Sequence, residues 1–101
     1  KYRRFCQGNG HMIKKAHYTR QFKQDFKHCK ERGYDMHQLV KVMKLLEQSK
    51  KLPVKNKDHN LKGNYSKSRE CHIGPDWLLI YQLFDNNIIF VRTGSHSDLF
   101  L

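Results

Sequence analysis

Four side chains that can carry protons stand where predicted strands and loops meet: His59, His72, Asp76 and His96. An imidazole has an ordinary pKa of about 6.5, so it can give or take a proton near neutral pH. RNA cleavage needs such groups, because the 2′-hydroxyl must lose a proton to attack the adjacent phosphate and the 5′-oxygen must gain one to leave. The four residues are therefore candidates for the acid and base groups of such a reaction.

Basic and aromatic residues near these four could bind an RNA substrate. The guanidinium of Arg92 can hold a phosphate through two parallel hydrogen bonds, and Arg69 and Lys57 add positive charge. Flat rings can stack on unpaired bases. The candidate rings are Tyr81, Trp77 and Phe100.

A metal site is the competing chemistry for three histidines and an aspartate. The sequence has no closely spaced ligand pair such as HxxxH or CxxC. Cys6, Cys29 and Cys71 are odd in number, which favours reduced thiols in a cytosolic protein over a disulfide framework. We therefore predict no metal and no other cofactor.

Length and composition limit the number of domains and the kind of partner. The 101 residues suffice for one domain, and the mean hydropathy is −0.86. The net charge of +11 and the pI of about 9.8 indicate a polyanionic partner: a nucleic acid, an anionic membrane or an acidic protein. No apolar run reaches the length of about 18 residues that a membrane span needs.

The first eleven residues differ from the rest of the chain. They show no periodicity and end in His11 before Met12, a junction that cloning leaves behind. Residues 1–11 are therefore expected to be an added leader, with Met12 as the natural start and residues 12–101 as a single domain.

A short strand and a first helix are predicted in the first third of the chain. Residues 13–18 could form the strand. Thr19 is a suitable N-cap for a helix over residues 20–32, and Gly33 suits its C-terminal end. Three residues at helical spacing form its buried stripe: Phe22, Phe26 and Cys29.

A second helix follows after a three-residue link, so the two helices form an antiparallel hairpin. Asp35 begins the helix with Gln38 in a capping box, and Leu52-Pro53 is expected to end it. Its apolar face comprises Met36, Leu39, Val40, Met43 and Leu46. Residues 53–67 are polar and aperiodic, and they read as one long functional or mobile loop.

The last third reads as three antiparallel strands. Gly74-Pro75 and Asn86-Asn87 are predicted turns around the apolar run Trp77 to Phe84. Two-residue turns at these places put His72 opposite Trp77 and Tyr81 opposite Arg92. One face would then carry Glu70, His72, Leu79, Tyr81 and Arg92. The helices would pack on the other face, with Cys71, Ile73, Leu78 and Ile80, in an α+β fold.

Three motifs in a fixed order carry a family resemblance: KDHNLKG (57–63), RECHIGPDWLLIY (69–81) and RTGSHSDLF (92–100). Over residues 12–100 the sequence resembles the YafQ-like toxins of the RelE superfamily, which belong to type II toxin–antitoxin pairs. The resemblance implies a RelE-like fold and a ribosome-dependent mRNA endonuclease that needs no metal. It matches His59, His72, Asp76, Arg92, His96 and Phe100 to the family's motif positions. Glu70 stands where some members have Asp, and Asn60 where many have Pro.

The resemblance also implies the partners and the compartment. It implies a cytoplasmic enzyme that cleaves mRNA in the ribosomal A site, an acidic antitoxin as inhibitor, contact with operator DNA only through that antitoxin, and no membrane partner. Two alternatives stay open. A ParE-like toxin of similar fold acts on gyrase and lacks this histidine set, and a plain basic RNA-binding module would need only the charge.

Overall fold

The computed structural model describes residues 13–61 and 67–100, so the predicted leader 1–11 lies outside the described residues. Over these residues the protein has an α+β fold, as predicted, with a five-stranded mixed sheet in the order β1-β5-β4-β3-β2. Strand β1 runs parallel to β5, and every other pairing is antiparallel. The elements are β1 (Lys15–Tyr18), α1 (Arg20–Glu31), α2 (Met36–Glu47), a 3₁₀ turn (Val54–Asn56), β2 (His59–Asn60), β3 (Arg69–Gly74), β4 (Trp77–Phe84), β5 (Asn87–Gly94) and α3 (His96–Phe100).

Local capping signals define the helical hairpin. The Thr19 hydroxyl accepts a hydrogen bond from the backbone N–H of Phe22 at 2.9 Å, and Gly33 follows α1 with a φ of +84°. Asp35 caps α2 by accepting from the N–H of His37 at 3.1 Å. The Gln38 amide donates to that carboxylate, so the reciprocal capping box that was predicted is not the bond formed.

Helix α2 ends earlier than its apolar pattern suggested. The last helical residue is Glu47, and Ser49 follows with a φ of +58°. The prediction that the helix continues to Leu52-Pro53 is wrong, because the helix ends five residues before Leu52 and the left-handed Ser49 then turns the chain away. Leu52 is nevertheless buried, which explains why the apolar pattern runs past the helix.

The hairpin packs on one face of the sheet and forms the main core. Burying a large apolar side chain stabilises the fold by about 1.5–3 kcal/mol, and this core holds Phe22, Cys29, Leu39, Val42, Met43, Leu46, Leu52, Cys71, Ile73, Trp77, Leu79, Tyr81, Ile88 and Phe90. A smaller cluster of Leu78, Ile80 and Leu99 lies on the opposite face, under α3. None of the helices in the described residues is long and apolar enough to cross a membrane.

The strand register differs from the predicted one and exchanges residues between the faces. The turns are Pro75-Asp76 and Asp85-Asn86, each one residue away from its predicted position. Each pairing also contains an irregularity, one between His72 and Gly74 and one between Ile80 and Tyr81. His72 therefore pairs with Leu78, whereas Tyr81 pairs with Phe90 in the main core.

The face assignment is corrected as a result. Glu70 and His72 share their face with Ile80 and Leu78, and Tyr81 and Leu79 lie on the helix-covered face with Cys71 and Ile73. A single-residue slip exchanges the two faces of a strand, and the irregularities produce this slip partway along it.

Three short elements were not predicted. The segment read as one polar loop contains the 3₁₀ turn and the two-residue strand β2, which pairs His59 with Glu70 and Asn60 with Arg69. The sequence after β5 forms the five-residue helix α3. Strand β2 and helix α3 each carry a histidine, so they position the candidate site.

Candidate active site

Three of the predicted histidines lie side by side and form what we call the histidine row: His59 on β2, His72 on β3 and His96 at the start of α3. Ring centroids are 6.4 Å apart between His59 and His72, and 6.1 Å apart between His72 and His96. The ring of Phe100 follows at 6.2 Å from His96. The row joins groups that are up to 37 residues apart in the sequence (96 − 59 = 37).

Asp76 fixes the orientation of His96. One carboxylate oxygen of Asp76, in the β3–β4 turn, accepts hydrogen bonds from His96 Nδ1 at 2.8 Å and from the His96 backbone N–H at 3.0 Å. These hydrogen bonds hold the pKa of Asp76 below its ordinary value. Because Nδ1 carries the proton in this bond, Nε2 is the nitrogen left for a substrate. Both side chains are more than half exposed, so a substrate can reach them.

The residues around His96 form the N-terminal cap of α3, the helix that begins with His96. The N–H of Ser95 donates to Asp98 at 3.0 Å and the N–H of Asp98 donates to the Ser95 hydroxyl at 3.1 Å, which is a reciprocal capping box. Arg32 of the helical hairpin donates to Asp98 at 2.7 Å, and these bonds lower the pKa of Asp98 to about 2. A Cβ on Gly94 would lie 2.9 Å from an Asp98 oxygen, so glycine is required there.

Glu70 is a member of the site that the sequence reasoning left out of its candidates. Its side chain is only 7% exposed, and its carboxylate lies 3.4 Å from His59 Nε2 and 3.7 Å from His72 Nε2. Burial lowers the pKa of His72 below its ordinary value, and this effect outweighs the opposing attraction of Glu70. The sequence feature that could have identified Glu70 is its position two residues before His72, because residues two apart in a strand lie on the same face.

The segment before β2 brings His59 to the row. Lys57 has a φ of +48°, and its carbonyl accepts a hydrogen bond from His59 Nδ1 at 2.6 Å. The side chain of Asn56 is buried and donates to the backbone carbonyl of His72 at 2.7 Å. The 3₁₀ turn is therefore attached to β3 beside the irregularity that follows His72.

Comparison with known proteins identifies the family. The model of the YafQ family, described as the bacterial toxin of type II toxin–antitoxin systems, matches residues 14–101. The chain belongs to the YafQ family. The mRNA interferase toxin YafQ of Escherichia coli K12 is 42% identical over 84 residues, which cover 82% of this chain and 91% of that relative.

Solved structures of similar chains agree with this membership. The DinJ–YafQ toxin–antitoxin complex of E. coli contains a chain with a TM-score of 0.82 and 38% identity, covering 89% of this chain and 100% of that one. A metal-bound toxin from Helicobacter pylori has a TM-score of 0.81 and 40% identity, covering 87% of this chain and 100% of that one. The resemblance read from the three motifs is confirmed.

Two aromatic rings predicted to stack on RNA bases lie in the core of this YafQ-family fold. Tyr81 is 1% exposed and donates from its hydroxyl to Asp58 at 2.5 Å. Trp77 is 7% exposed and donates from Nε1 to the Thr93 hydroxyl at 2.9 Å. Neither ring presents a face to the solvent in this structure, and this burial argues against the predicted stacking role. Phe100 is 45% exposed beside His96 and can serve in that role.

Both arginines of the prediction are held by carboxylates. Arg92 donates from Nε and Nη2 to the two oxygens of Asp25 on α1, at 2.8 and 3.2 Å. Arg69 forms an ion pair with Asp58 at 3.0 Å and donates to Asn60 at 2.6 Å. The two-bond arrangement by which Arg92 was expected to clamp a phosphate is used on a carboxylate instead. Lys57 is exposed next to His59 and remains a candidate cation.

In the parts of the chain that the structure describes, no group of three or more His, Cys, Asp or Glu side chains is arranged to hold a metal ion. Cys29 and Cys71 are buried free thiols, and burial raises the pKa of each.

Proposed function

We propose that this chain is a ribosome-dependent endoribonuclease that cleaves mRNA in the ribosomal A site and thereby inhibits translation. Membership of the YafQ family and the name of its E. coli relative support mRNA cleavage by a toxin. The observation that carries the chemistry is the histidine row, in which three imidazoles are joined to the carboxylates of Glu70 and Asp76. The enzyme acts in the cytoplasm, where ribosomes and mRNA are found.

His72 is the general base in this proposal. Its lowered pKa keeps the ring neutral at pH 7, so it can accept the proton of the 2′-hydroxyl. The 2′-oxygen then forms a bond to phosphorus while the bond from phosphorus to the 5′-oxygen breaks. A 2′,3′-cyclic phosphate and a 5′-hydroxyl are the products.

His96 is the general acid. A proton on Nε2 passes to the departing 5′-oxygen, while Asp76 holds Nδ1 and keeps the ring in place. Its ring centroid is 6.1 Å from that of His72, so the two rings can address different oxygens of one phosphate. His59 and the exposed Lys57 supply positive charge for the phosphorane, and Glu70 holds His59 and His72 together.

The ribosome supplies what this small site lacks. Phe100 is the one predicted stacking ring that the fold leaves exposed, and both predicted arginines are held in ion pairs. Holding the mRNA in a cleavable geometry converts an encounter into an effectively unimolecular step, which can be worth about 7–11 kcal/mol. Free mRNA is therefore expected to be a poor substrate compared with ribosome-bound mRNA.

A cleavage assay on ribosomes tests the proposal, including its independence of metal. The toxin is treated with EDTA and then dialysed, and it is added to intact ribosomes kept in magnesium with a defined codon in the A site. Parent toxin should cut the bound message, with or without the treatment, and should leave free mRNA largely uncut. His96→Ala serves as the inactive control.

Three results would contradict parts of this proposal. Equal cutting of free and bound mRNA would refute the dependence on ribosomes. Loss of activity after EDTA with recovery on added zinc or copper would refute metal independence, a pointed test because the H. pylori relative has been seen with metal bound. Binding without cleavage that is unaffected by His→Ala changes would favour the plain RNA-binding module.

The inhibitor in this proposal is an acidic antitoxin. The chain carries a net charge of +11, and the E. coli relative forms a complex with the antitoxin DinJ. Opposite charges speed association and are screened by salt, so the association rate with the antitoxin should fall as ionic strength rises. An association rate that does not respond to salt would contradict an electrostatic partner surface.

A further inference from the structure

Asp58, the residue before His59, has no role in the reaction proposed above, yet it makes several polar contacts. Its Oδ1 accepts from the Tyr81 hydroxyl at 2.5 Å and from Arg69 Nε at 3.3 Å, and its Oδ2 lies 3.0 Å from Arg69 Nη2. Tyr81 is 1% exposed in the middle of the main core. Asp58 therefore connects the chain beside His59 to a fully buried residue of the main core.

The residue after His59 is held by the same arginine. Arg69 donates from Nη1 to the side-chain oxygen of Asn60 at 2.6 Å. One guanidinium thus holds both neighbours of His59, and we call Asp58, Asn60, Arg69 and Tyr81 the Arg69 clamp. The clamp is needed because β2 has only two residues, and so short a strand cannot hold its own position through backbone pairing.

The other end of the segment is attached as well. Asn56 is buried and donates to the carbonyl of His72 at 2.7 Å. Between the two attachments the Lys57 carbonyl accepts from His59 Nδ1, and His59 Nε2 faces Glu70 at 3.4 Å. A shift of residues 57–60 would therefore change the distance from His59 Nε2 to Glu70 and the distance between the His59 and His72 rings.

We propose that Asp58 is a positioning residue that acts through His59, by holding residues 57–60 so that the His59 ring stays against Glu70 and beside His72. Asp58 touches neither substrate nor reacting atoms in this role. The proposal rests on the proposed function, in which His59 assists cleavage.

A carboxylate suits this position better than an amide. Asp58 accepts from the Tyr81 hydroxyl and from two guanidinium nitrogens, and the amide of an asparagine would replace one accepting oxygen with a donor. Burial, together with the hydrogen bond to Asp58, raises the pKa of Tyr81, so the phenol keeps its proton and donates. Asp58→Asn changes the acceptor of the Tyr81–Asp58 hydrogen bond, and Tyr81→Phe removes its donor, so each variant weakens the clamp.

The experiment compares Asp58→Asn, Tyr81→Phe, His59→Ala and the double variant Asp58→Asn with His59→Ala. Asp35→Asn is the matched control, because it makes the same chemical change at a helix cap away from the row. Single-turnover cleavage is measured on ribosome-bound mRNA at saturating toxin. Amide hydrogen exchange at residues 58–60 is measured in the free toxin, with thermal melts to confirm folding.

Asp58→Asn should slow cleavage roughly 10- to 100-fold, the range that a misplacement of about 1 Å can produce, and never more than His59→Ala does. Exchange at residues 58–60 should become faster, and the control should match the parent in both. Tyr81→Phe should shift both readouts in the same direction. The double variant should cut no more slowly than His59→Ala alone, because the two changes remove one contribution.

Two outcomes overturn the proposal while the proposed function stands. Asp58→Asn could cut as fast as the parent although residues 58–60 exchange faster, or its effect could multiply with that of His59→Ala. If His59→Ala itself cuts at the parental rate while His96→Ala does not, His59 has no role for Asp58 to support and the proposal falls too. If the parent does not cut ribosome-bound mRNA at all, the proposed function fails and takes this inference with it.

Discussion

The ion pair between Arg92 and Asp25 leads to a prediction that separates stability from catalysis. Arg92→Met removes the guanidinium but keeps most of the side-chain volume. The Asp25 side chain is 7% exposed and would keep only the Gln21 amide at 3.0 Å and the Thr93 N–H at 3.2 Å as donors. Removing one partner of a buried pair typically costs about 3–5 kcal/mol.

The lower end of that range applies here. Two donors remain on the carboxylate and the Arg92 side chain is 23% exposed, so we expect a loss of about 3 kcal/mol. In a domain of this size each kcal/mol lowers the melting temperature by roughly 4–8 °C, which gives a fall of about 12–24 °C. Asp25→Asn in the same chain should recover part of the loss, because it removes the unpaired charge.

The assay is thermal unfolding of the parent, Arg92→Met, Asp25→Asn and the double variant, with Arg20→Ala as an exposed control on the same helix. Single-turnover cleavage is measured at a temperature at which every variant is folded. Arg92→Met should then cut within a few-fold of the parent. A melting temperature within about 3 °C of the parent, combined with a loss of cleavage above about 100-fold, would refute the reasoning. That result would support Arg92 as a residue that binds the RNA substrate.

Three further predictions concern the site. His96→Ala should leave stability within about 0.5 kcal/mol of the parent, because the ring is exposed, and should slow single-turnover cleavage about 100- to 10,000-fold; a loss of only a few-fold would remove His96 as the acid. Because the pKa of His72 is lowered, cleavage should persist as the pH falls from 7 to the ordinary histidine pKa of about 6.5, and should decline only below about pH 6.5. A decline in cleavage that begins above about pH 6.5 would contradict His72 as the base. The lowered pKa of Asp98, about 2, means that its contribution to stability is present above the unfolded value of about 3.9 and is lost as pH falls towards 2; Asp98→Asn should flatten this part of the stability profile in acid melts.

Local signals in the sequence predicted local structure well. Thr19, Gly33 and Asp35 mark the helix ends because their side chains or backbone angles act within a few residues. The α+β class followed from the order of periodic segments. The end of α2 was missed because Leu52 is buried without being helical, and burial alone sets the apolar pattern.

The strand faces could not be predicted because they depend on irregularities that the sequence does not reveal. Tyr81 and Glu70 lie in an apolar strand and a polar strand, and each could have faced either way until the pairing was known. The irregularity after His72 pairs Cys71 with Leu79, so the face that Leu79 shares with Tyr81 is the helix-covered one. The irregularity between Ile80 and Tyr81 leaves Arg92 paired with Ile80. The burial of Tyr81, which argues against its predicted base-stacking role, has this cause.

The sequence identified most residues of the candidate site, with Glu70 the exception, but not the contacts between them. His59, His72, Asp76 and His96 came from residue type, position and motif, and the structure brings them together. The functional roles of these residues stay predictions. The link from Asp76 to His96 spans 20 residues, and the position of Glu70 between two histidines follows only from the pairing of β2 with β3.

The parallel pairing of β1 with β5 bears on how this protein is made. His17 and Asn87, which bond across this pair, are 70 residues apart, so the first strand stays without its partner until almost the whole domain has been synthesised. Contacts of such long separation slow folding and come late. The histidine row is completed only by the residue that begins α3, after β5. A nascent chain in which α3 has not yet been synthesised therefore lacks an assembled histidine row, and the activity proposed above cannot begin before that point.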